Sequence, residues 1–570
     1  MSETDLPPPS VAGTFLAALL DRGIEHVFVN AGTDWAPIVE AITAARELGL
    51  ATPNFMLMPH ENTAMSMAHG CYLVSGKPQM VGVHNNVGTA NALCGLINAA
   101  RDNIPILLAA GRTPISETGS AASREVMVHW GQENFDQGGM VREHVKWDFE
   151  LKSGQRVEAV LDRALDITMT QPLGPVYLTL PREVLIETDT EPEVQPRRRS
   201  FGATAAQPDI TAIERAASLL AAAKNPLIIT SVAGRNPDNV GRLASLAERF
   251  ALPVVQHCPR CLNLPSDHPM HLGYQPIRYL ESVDVVLVID SEVPWIRRDT
   301  VAPLEARVIH VGVDPLYITY PIRGFEDDLA ITGQSAAAIP MLADALARLI
   351  DEGDERIATR RLKIAEMRQS LQTEWQETRR IARDKAPIDP AWLATCLDAV
   401  IDENTIVVNE VGLQLEQMNF TDPGSLFVGP PVGGLGWSLG AGLGIKLAAP
   451  DKDVVVVLGD GTYMFANPTP CHYVSAKQDL PFLTIIINNS GWESVKRAVQ
   501  NVYPHGKAVK SNDMPLVSLD PTPDFEKVIE ASGGYAERVE DPRELQAAFE
   551  RAIRVVRVER RQAMVNVICQ

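Results

Sequence analysis

Short, continuous apolar runs alternate with amphipathic stretches along most of the chain. Examples are the runs at 284–290 (DVVLVID), 453–459 (DVVVVLG) and 481–488 (PFLTIIIN). Strands of a parallel sheet that is covered on both faces need such continuous apolar sequences, whereas half-exposed strands alternate. The pattern therefore predicts an α/β fold: open parallel sheets with helices on both faces.

Two charged, proline-bearing segments, at 187–208 and 351–390, interrupt this pattern. We expect the second segment to contain a long, highly charged helix. The two segments divide the 570 residues into three parts of ordinary domain size. We predict domains at 1–188, 205–352 and 385–570. In open parallel sheets, ligands bind beyond the carboxyl ends of the strands, so the residues that follow the apolar runs are the first candidates for a site.

The chain carries 51 Lys and Arg against 71 Asp and Glu, a net charge of −20. A surface of this sign repels phosphate backbones and anionic lipid, and we find no basic patch, so we expect neither nucleic acid nor a membrane as partner. No apolar stretch approaches the ~20 residues of a membrane span, and the N-terminus is acidic where a secretory signal would be basic. We expect a cytoplasmic protein.

The seven cysteines are odd in number and mostly lie in apolar segments, which is typical of buried thiols in a reducing compartment. Cys258 and Cys261, with His257, His268 and His271 nearby, resemble half a zinc site. No second cysteine pair follows them, so we expect a structural role.

The strongest chemical signal comes from two neighbouring strand ends. The apolar run at 453–458 leads directly into GDGT at 459–462, and the run at 484–487 leads into NNSG at 488–491. Asp-Gly and Asn-Asn pairs are common separately. At this spacing, and with both on strand ends, the two motifs together are a specific signal of a binding site.

These strand ends offer a carboxylate oxygen of Asp460, an amide oxygen of Asn489 and the carbonyl oxygen of Gly491 to one cation. Mg²⁺ prefers such oxygen ligands and leaves its other positions for phosphate and water. Gly461 lets the backbone approach, and a helix that starts near Thr462 would present its N–H groups to an anion. We therefore predict a site for a diphosphate and Mg²⁺.

This pair of motifs is similar to the signature of thiamine diphosphate (ThDP) enzymes, and the resemblance covers nearly the whole chain. It implies a pyrimidine-binding, a central and a diphosphate-binding domain, with ThDP and Mg²⁺ as cofactors. It also implies a homodimer in which Glu61 of one subunit meets Asp460 of the other, usually within a tetramer. In relatives the central domain binds FAD or ADP, or nothing, and here it could hold ADP or the CoA nucleotide.

The segment HENTAMSMAHG at 60–70 follows an apolar run and resembles the family element that carries an activating glutamate. A carboxylate bonded to N1′ of the aminopyrimidine favours the tautomer that deprotonates the thiazolium. We assign this role to Glu61.

The resemblance extends to other loops of the chain. It implies cofactor contacts at Glu61, Gly412, Leu413, Gln414, Leu439, Asp460, Gly461, Thr462, Asn489, Gly491 and Trp492. It implies substrate contacts at Gly32, Thr33, Asn85, Asn86 and Gln132. Asn85 and Asn86 depart from the family, which usually reads Ser-Gly-Pro there. Met127 and Trp492, both large and apolar, are candidates to line an acyl pocket, although each could equally belong to the core.

Glu493 follows the magnesium-binding loop and should begin a helix. Its carboxylate could take a proton from a substrate hydroxyl and return it after C–C cleavage; the alternative is an ordinary carboxylate at a helix start. With Asn85 and Asn86, this stretch resembles the 2-hydroxyacyl-CoA lyases, particularly the bacterial group that acts on 2-hydroxyisobutyryl-CoA. The implied reaction reversibly cleaves a 2-hydroxyacyl-CoA to formyl-CoA and an aldehyde or ketone.

Other interpretations stay open. The chain could be another ThDP enzyme: an acetolactate synthase, an oxalyl-CoA decarboxylase, a 2-oxoacid decarboxylase or a carboligase. A non-catalytic paralogue would be expected to have lost Glu61 or a metal ligand, and both are present. If the substrate is an acyl-CoA, its phosphates could meet Arg235, Arg260, Arg297 or Arg298, among which the sequence does not choose.

Overall fold

The structure is a computed structural model that describes residues 9–189, 201–299, 306–351 and 353–569. Within these ranges the strands form three sheets of six, five and six strands. Strand pairing is parallel throughout the three sheets. The predicted architecture of three open parallel-sheet α/β domains is confirmed.

The first sheet is built from residues 26–181. Its strands are β1 His26–Asn30, β2 Asn54–Leu57, β3 Gln79–Val83, β4 Ile106–Arg112, β5 Asp148–Glu150 and β6 Val176–Pro181. The helices of this part are α1 Val11–Asp21, α2 Ala36–Glu47, α3 Glu61–Ser75, α4 Asn85–Arg101, α5 Val128–Gly131, α6 Val157–Thr168 and α7 Arg182–Leu185. The strand order is β2-β1-β3-β4-β6-β5, so the chain reverses its direction of winding between β1 and β3.

The central sheet is built from residues 226–332. Its strands are β7 Pro226–Thr230, β8 Val254–Gln256, β9 Val285–Ile289, β10 Arg307–Gly312 and β11 Leu329–Thr332. Its helices are α8 Ile210–Ala222, α9 Asp238–Phe250 and α10 Ser335–Ala347. The order β11-β10-β9-β7-β8 places the reversal between β7 and β9. The charged stretch that follows is helix α11, Glu355–Ala382, as predicted.

The third sheet is built from residues 405–568. Its strands are β12 Thr405–Asn409, β13 Leu426–Val428, β14 Asp453–Gly459, β15 Leu483–Asn488, β16 Tyr535–Val539 and β17 Ala563–Ile568. Its helices are α12 Pro390–Asp398, α13 Trp437–Ala448, α14 Asp460–Phe465, α15 Pro468–Lys477, α16 Glu493–Val502, α17 Lys507–Ser511, α18 Phe525–Glu530 and α19 Leu545–Val558. In the order β13-β12-β14-β15-β17-β16 the reversal lies between β12 and β14.

Helices α3 and α13 join the first and third domains in one hydrophobic core. They approach so closely that glycine is required at the contact. A Cβ added at Gly70 would lie 2.1 Å from the carbonyl oxygen of Ala441, and one at Gly444 would lie 1.9 Å from that of Met67. Real Cβ atoms do not approach backbone atoms this closely, so these positions tolerate no side chain.

Candidate active site

Polar residues gather beyond the carboxyl ends of the strands in the first and third sheets. Residues that follow β1, β2, β3 and β4 form a group that we call the first-sheet cluster: Thr33, Asp34, Glu61, His84, Asn85 and Gln132. β14 and β15 lead into the third-sheet cluster: Asp460, Gly461, Asn489, Gly491 and Trp492. Open parallel sheets bind their ligands beyond the carboxyl ends of their strands, and in the first sheet the ends of β1 and β3 flank the point where the winding reverses.

Glu61 is the first residue of α3, and only 5% of its surface is exposed. Nδ2 of Asn30 donates to its Oε1 at 3.0 Å, and Nδ2 of Asn91 donates to its Oε2 at 3.1 Å. Gly88 leaves room for the Glu61 carboxylate, since a Cβ at position 88 would lie only 3.2 Å from Oε1. The two amides fix the carboxylate in one orientation, and its remaining lone pairs can accept a hydrogen bond from a ligand.

Asp34 and His84 pair at the ends of β1 and β3. Oδ1 of Asp34 lies 2.5 Å from Nδ1 of His84, and Oδ2 accepts the backbone N–H of Asn85 at 3.0 Å. Two glycines make room for the pair. A Cβ at Gly111 would lie 1.7 Å from Oδ2 of Asp34, and one at Gly32 would lie 2.1 Å from Nδ1 of His84.

Amide groups surround the other ring nitrogen of His84. Nε2 lies 3.2 Å from Nε2 of Gln132 and 3.3 Å from Nδ2 of Asn85, and Nδ2 of Asn85 donates to Oε1 of Gln132 at 2.9 Å. The structure thus brings two sequence-predicted residues together around a histidine that the sequence did not single out. Burial alone would lower the pKa of His84, but the hydrogen bond and charge of Asp34 outweigh it, so the pKa is raised.

The Asp34–His84 pair makes a testable prediction about titration. Replacing Asp34 with Asn should lower the pKa of His84, because the acceptor that favours the imidazolium is lost. Since the folded pKa is raised, this pair stabilises the fold fully below about pH 6.5 and loses its effect as the pH rises through the folded pKa. NMR titration of the imidazole signals measures both proteins. His26, at the opposite end of β1, is the internal control, and an unchanged pKa of His84 would contradict the assignment.

The remaining predicted residues near the first sheet are less enclosed. Thr33 is exposed, and its Oγ1 lies 3.3 Å from Nε2 of His129. Asn86 is half-buried, and its buried Oδ1 has no hydrogen-bond partner among the described residues. Met127 precedes α5 and is 86% exposed, so it does not belong to the core of this chain.

Asp460 is buried at the start of α14, and backbone amides hold its carboxylate. The N–H of Gly461 donates to Oδ1 at 2.8 Å, and the N–H of Gly491 donates to Oδ2 at 3.2 Å. The same N–H of Gly491 lies 3.2 Å from Oδ1 of Asn489, so the two predicted ligands share one loop. Burial raises the pKa of Asp460 despite these amides, so the site favours a positive partner for the carboxylate.

Trp492 covers this loop. A Cβ at Gly461 would lie 2.4 Å from its ring, which explains the glycine there. The indole also meets Phe465 edge to face, with 5.6 Å between ring centroids. Thr462 is buried in the first turn of α14. The predicted residues of the GDGT and NNSG motifs therefore do form one compact group at two neighbouring strand ends.

The loop after β12 is tied to the start of α13. Glu410 accepts hydrogen bonds from the backbone N–H groups of Gly436, Trp437 and Ser438, at 2.8, 3.2 and 2.8 Å. Gly412 has a φ of 102° and packs against Ile487, so only glycine fits. This arrangement fixes the loop beside β14.

Three other predicted cofactor residues occupy different surroundings. Leu413 is buried beside the third sheet, in the same hydrophobic core as Ile487. Gln414 lines a cavity of about 260 Å³ with residues of α11 and the central domain. Leu439 is fully buried in the contact between α3 and α13.

Glu493 is the first residue of α16, and 34% of its side chain is exposed. Its backbone N–H bonds to the carbonyl oxygen of Gly491 at 3.2 Å, which sets the carboxylate directly after the loop of Asp460. Oε1 accepts from Nε of Arg497 at 3.0 Å, and Oε2 lies 3.7 Å from Nζ of Lys496.

A cleft of about 520 Å³ separates the first and central domains at the reversal between β7 and β9. Arg101, Lys146, Tyr317 and Tyr320 line it. Burial raises the pKa of Asp290, on its wall, to about 6.

Of the four arginines considered for phosphate binding, Arg235 and Arg260 line this cleft, whereas Arg297 and Arg298 do not. Arg235 and Arg260 both bind the buried Asp102, and Arg260 also binds Glu292. Arg297 lies 3.7 Å from Glu326, on the same short turn as Arg298. An anion in the cleft would therefore compete with carboxylates for Arg235 and Arg260.

The described residues contain no group of three or more His, Cys, Asp or Glu side chains that could hold a metal ion alone. Cys258 is exposed and Cys261 is buried, and the seven cysteines are free thiols. Among the helices that the structure describes, none is long and apolar enough to cross a membrane.

Three models of thiamine pyrophosphate enzymes match the chain in order. They are the N-terminal TPP binding domain at residues 10–140, the central domain at 213–342 and the C-terminal TPP binding domain at 410–567. The chain belongs to the ThDP-dependent enzyme family. Its first and third domains are the two ThDP-binding domains.

Relatives of known activity are distant but match along most of their length. The chain is 25% identical to the acetolactate synthase isozyme 3 large subunit of Escherichia coli, covering 97% of this chain and 93% of that one. It is 26% identical to benzoylformate decarboxylase of Pseudomonas aeruginosa, covering 83% and 85%. Solved structures show the same fold. 4-Hydroxybenzoylformate decarboxylase of Rhodococcus jostii matches with a TM-score of 0.78 and 22% identity, covering 98% of this chain and 99% of that one. Benzoylformate decarboxylase of Polynucleobacter necessarius matches with a TM-score of 0.79 and 20% identity, covering 99% of both chains.

The residues present fit this cofactor. Asp460, Asn489 and the carbonyl of Gly491 supply oxygen donors but too few protein ligands to complete a Mg²⁺ shell, so a diphosphate would complete it. Glu61 supplies a buried acceptor carboxylate that two amides hold in place. Both features are those that a diphosphate and an aminopyrimidine require.

Proposed function

We propose that this enzyme is a carbon–carbon lyase that cleaves a 2-hydroxyacyl-CoA to formyl-CoA and an aldehyde or ketone. The observation that carries the proposal is Glu493: a carboxylate, partly open to solvent, directly after the loop of Asp460 and Asn489. A lyase of this kind needs a group that accepts the proton of the 2-hydroxyl. Met127, which is exposed, and Trp492, which is half-buried beside the same loop, are available to line an acyl pocket.

ThDP, when bound, would supply a carbon nucleophile and an electron sink for the C–C bond that breaks. Glu61 holds a proton at the aminopyrimidine ring, a role for which its fixed acceptor orientation suits it. Glu493 takes the proton of the substrate 2-hydroxyl while the C1–C2 bond breaks and the ketone leaves. It then returns that proton to the formyl carbon, so the net number of protons on the enzyme is unchanged over the cycle.

Three further assignments belong to the same proposal. Asp460, Asn489 and the carbonyl of Gly491 would hold Mg²⁺, which the chemistry of these oxygen donors supports. Two subunits complete one site, as the separate first- and third-sheet clusters suggest, and two dimers form a tetramer. The cleft beside β7 and β9 accepts ADP or the CoA nucleotide, with Tyr317 and Tyr320 as aromatic walls.

The seven free thiols support a reducing compartment, in line with a cytoplasmic location.

The test is product analysis by mass spectrometry. Protein supplied with ThDP and Mg²⁺ is incubated with 2-hydroxyisobutyryl-CoA, pyruvate, oxalyl-CoA or benzoylformate. We expect formyl-CoA and acetone from the first substrate, and a fall of about 10²–10⁴ in their rate for Glu493→Gln. No formyl-CoA, with CO₂ or acetolactate from another substrate, would overturn the lyase proposal.

Arg497→Met provides the matched control for Glu493. It removes the ion pair across one turn of α16 but leaves the carboxylate, and exposed pairs of this kind contribute only about 0.5 kcal/mol. If Glu493 carries protons, this variant should keep most of its activity. If Glu493 merely stabilises the start of the helix, both variants should lose activity alike.

A 2-oxoacid decarboxylase is the second candidate, and the Asp34–His84 pair favours it. The hydrogen bond and charge of Asp34 raise the pKa of His84, and a histidine that gains a proton more readily suits the carboxylate of a 2-oxoacid. Two of the relatives described above bear the name benzoylformate decarboxylase. In the same assay this candidate predicts CO₂ and an aldehyde from benzoylformate and no formyl-CoA from any substrate.

A further inference from the structure

A buried ionic cluster lies where the first domain meets the central domain, about two turns along α3 from Glu61. At its centre is Asp102, just after α4, which is 2% exposed. Nη2 of Arg235 lies 2.6 Å and Nε of Arg260 lies 2.8 Å from its Oδ1. Nε2 of His69, on α3, lies 3.1 Å from Oδ2. Arg260 also pairs with the buried Glu292.

The protonation states of this cluster follow from its contacts. Burial would raise the pKa of Asp102, but Arg235, His69 and Arg260 outweigh it, so the pKa lies far below its usual range. Burial lowers the pKa of His69, so its ring is neutral. Nδ1 of His69 has no hydrogen-bond partner among the described residues, so the ring proton sits on Nε2 and is donated to Asp102.

Because of the way α3 is packed, this hydrogen bond can hold the helix at one position along its axis. α3 and α13 are in close contact at Gly70, Gly440 and Gly444, and their apolar side chains share one core. Apolar packing is not directional, whereas a hydrogen bond fixes the distance and direction between two atoms. On this face of α3, the polar contact to Asp102 and the edge-to-face contact of His69 with Trp437, at 5.2 Å, resist sliding of the helix along its axis.

We propose that His69 is a positioning residue: its bond to Asp102 fixes the axial position of α3 and thereby the place of Glu61. The central domain takes part, because its Arg235 and Arg260 hold Asp102 from the other side. The proposal rests on ThDP binding at the first-sheet cluster, and it does not depend on which substrate the enzyme takes.

The test compares His69→Leu with His69→Gln. Leu fills the space without a donor, whereas the Nε2 amide of Gln can replace the ring N–H. We expect His69→Leu to weaken ThDP binding, measured by calorimetry in Mg²⁺, by about 10-fold or more, because a displaced Glu61 loses its hydrogen bond to the cofactor and the loss of one hydrogen bond to a charged group weakens binding by about that factor. His69→Gln should restore the affinity to within about twofold. Should His69→Leu fail to fold, His69→Asn, whose amide is too short to reach Asp102, replaces it and should behave as His69→Leu.

Two further measurements separate positioning from a general loss of structure. In the background of Glu61→Gln, His69→Leu should change ThDP affinity by less than about twofold, because a residue that acts through Glu61 has no effect without it. In protein without ThDP, backbone amides 61–69 should exchange hydrogen faster in His69→Leu than in His69→Gln. Additive losses in the double variant, or equal binding by His69→Leu and wild type, would overturn the proposal. Neither result depends on an acyl substrate, so the lyase proposal stands or falls separately.

Discussion

Glu61→Gln is expected to lower kcat by about 10²–10⁴ and to leave the protein folded. The glutamine amide cannot accept hydrogen bonds at both terminal atoms, so it would meet the amide of Asn30 or Asn91 donor to donor. More importantly, it cannot exchange a proton with the aminopyrimidine. The loss should therefore appear both in turnover and in the rate at which the C2 hydrogen of bound ThDP exchanges with solvent, measured by NMR after acid quench.

The matched control for this variant is Glu47→Gln, at the exposed end of α2. It makes the same chemical change without touching the first-sheet cluster and should leave both rates unchanged. We expect Glu61→Gln to lower the free energy of unfolding by only about 1–3 kcal/mol, the usual cost of one mismatched buried polar group. If the C2 hydrogen of ThDP exchanged as fast in Glu61→Gln as in the wild type, Glu61 would not be the activating glutamate.

The fold was predictable because burial leaves a direct mark on the sequence. The run at 453–459 is buried along its five central residues in β14, and the same holds for all of β9. A strand with helices on both faces has no polar side, so its sequence cannot alternate. The short strand Asp148–Glu150 carries no such mark, because it lies at the edge of its sheet and is only half-buried.

The candidate site was predictable where its chemistry is local in sequence. Asp460, Asn489 and Gly491 each follow an apolar strand directly, and strand ends of one sheet meet at one edge. His84 also follows a strand, but its importance comes from Asp34, 50 residues earlier, and no local pattern indicates such a pair. The same limit applies to Arg235: its partner Asp102 lies 133 residues away, in another domain.

Asp460→Asn is expected to weaken ThDP binding in the presence of Mg²⁺ by about 100-fold, a loss at the upper end for metal-site residues. The asparagine keeps the size of the side chain but not its charge. In the wild type, burial raises the pKa of Asp460, which shows that backbone amides alone compensate the carboxylate incompletely. A divalent cation would supply the missing positive charge, and Asn would offer it one neutral oxygen while turning an NH₂ group toward the N–H of Gly461 or Gly491.

Calorimetry with ThDP, in Mg²⁺ and in EDTA, measures this loss, and Asp453→Asn is the control. Asp453 begins the same strand that Asp460 follows, but it pairs with Arg557 at the opposite end of β14. Its replacement removes the same charge from the same sheet and should leave ThDP affinity unchanged. Because the effect of Asp460 acts through the cation, EDTA should weaken the wild type and barely affect Asp460→Asn. Equal sensitivity of both proteins to EDTA would mean that the cation binds elsewhere and that Asp460 serves only to order the loop of Gly491.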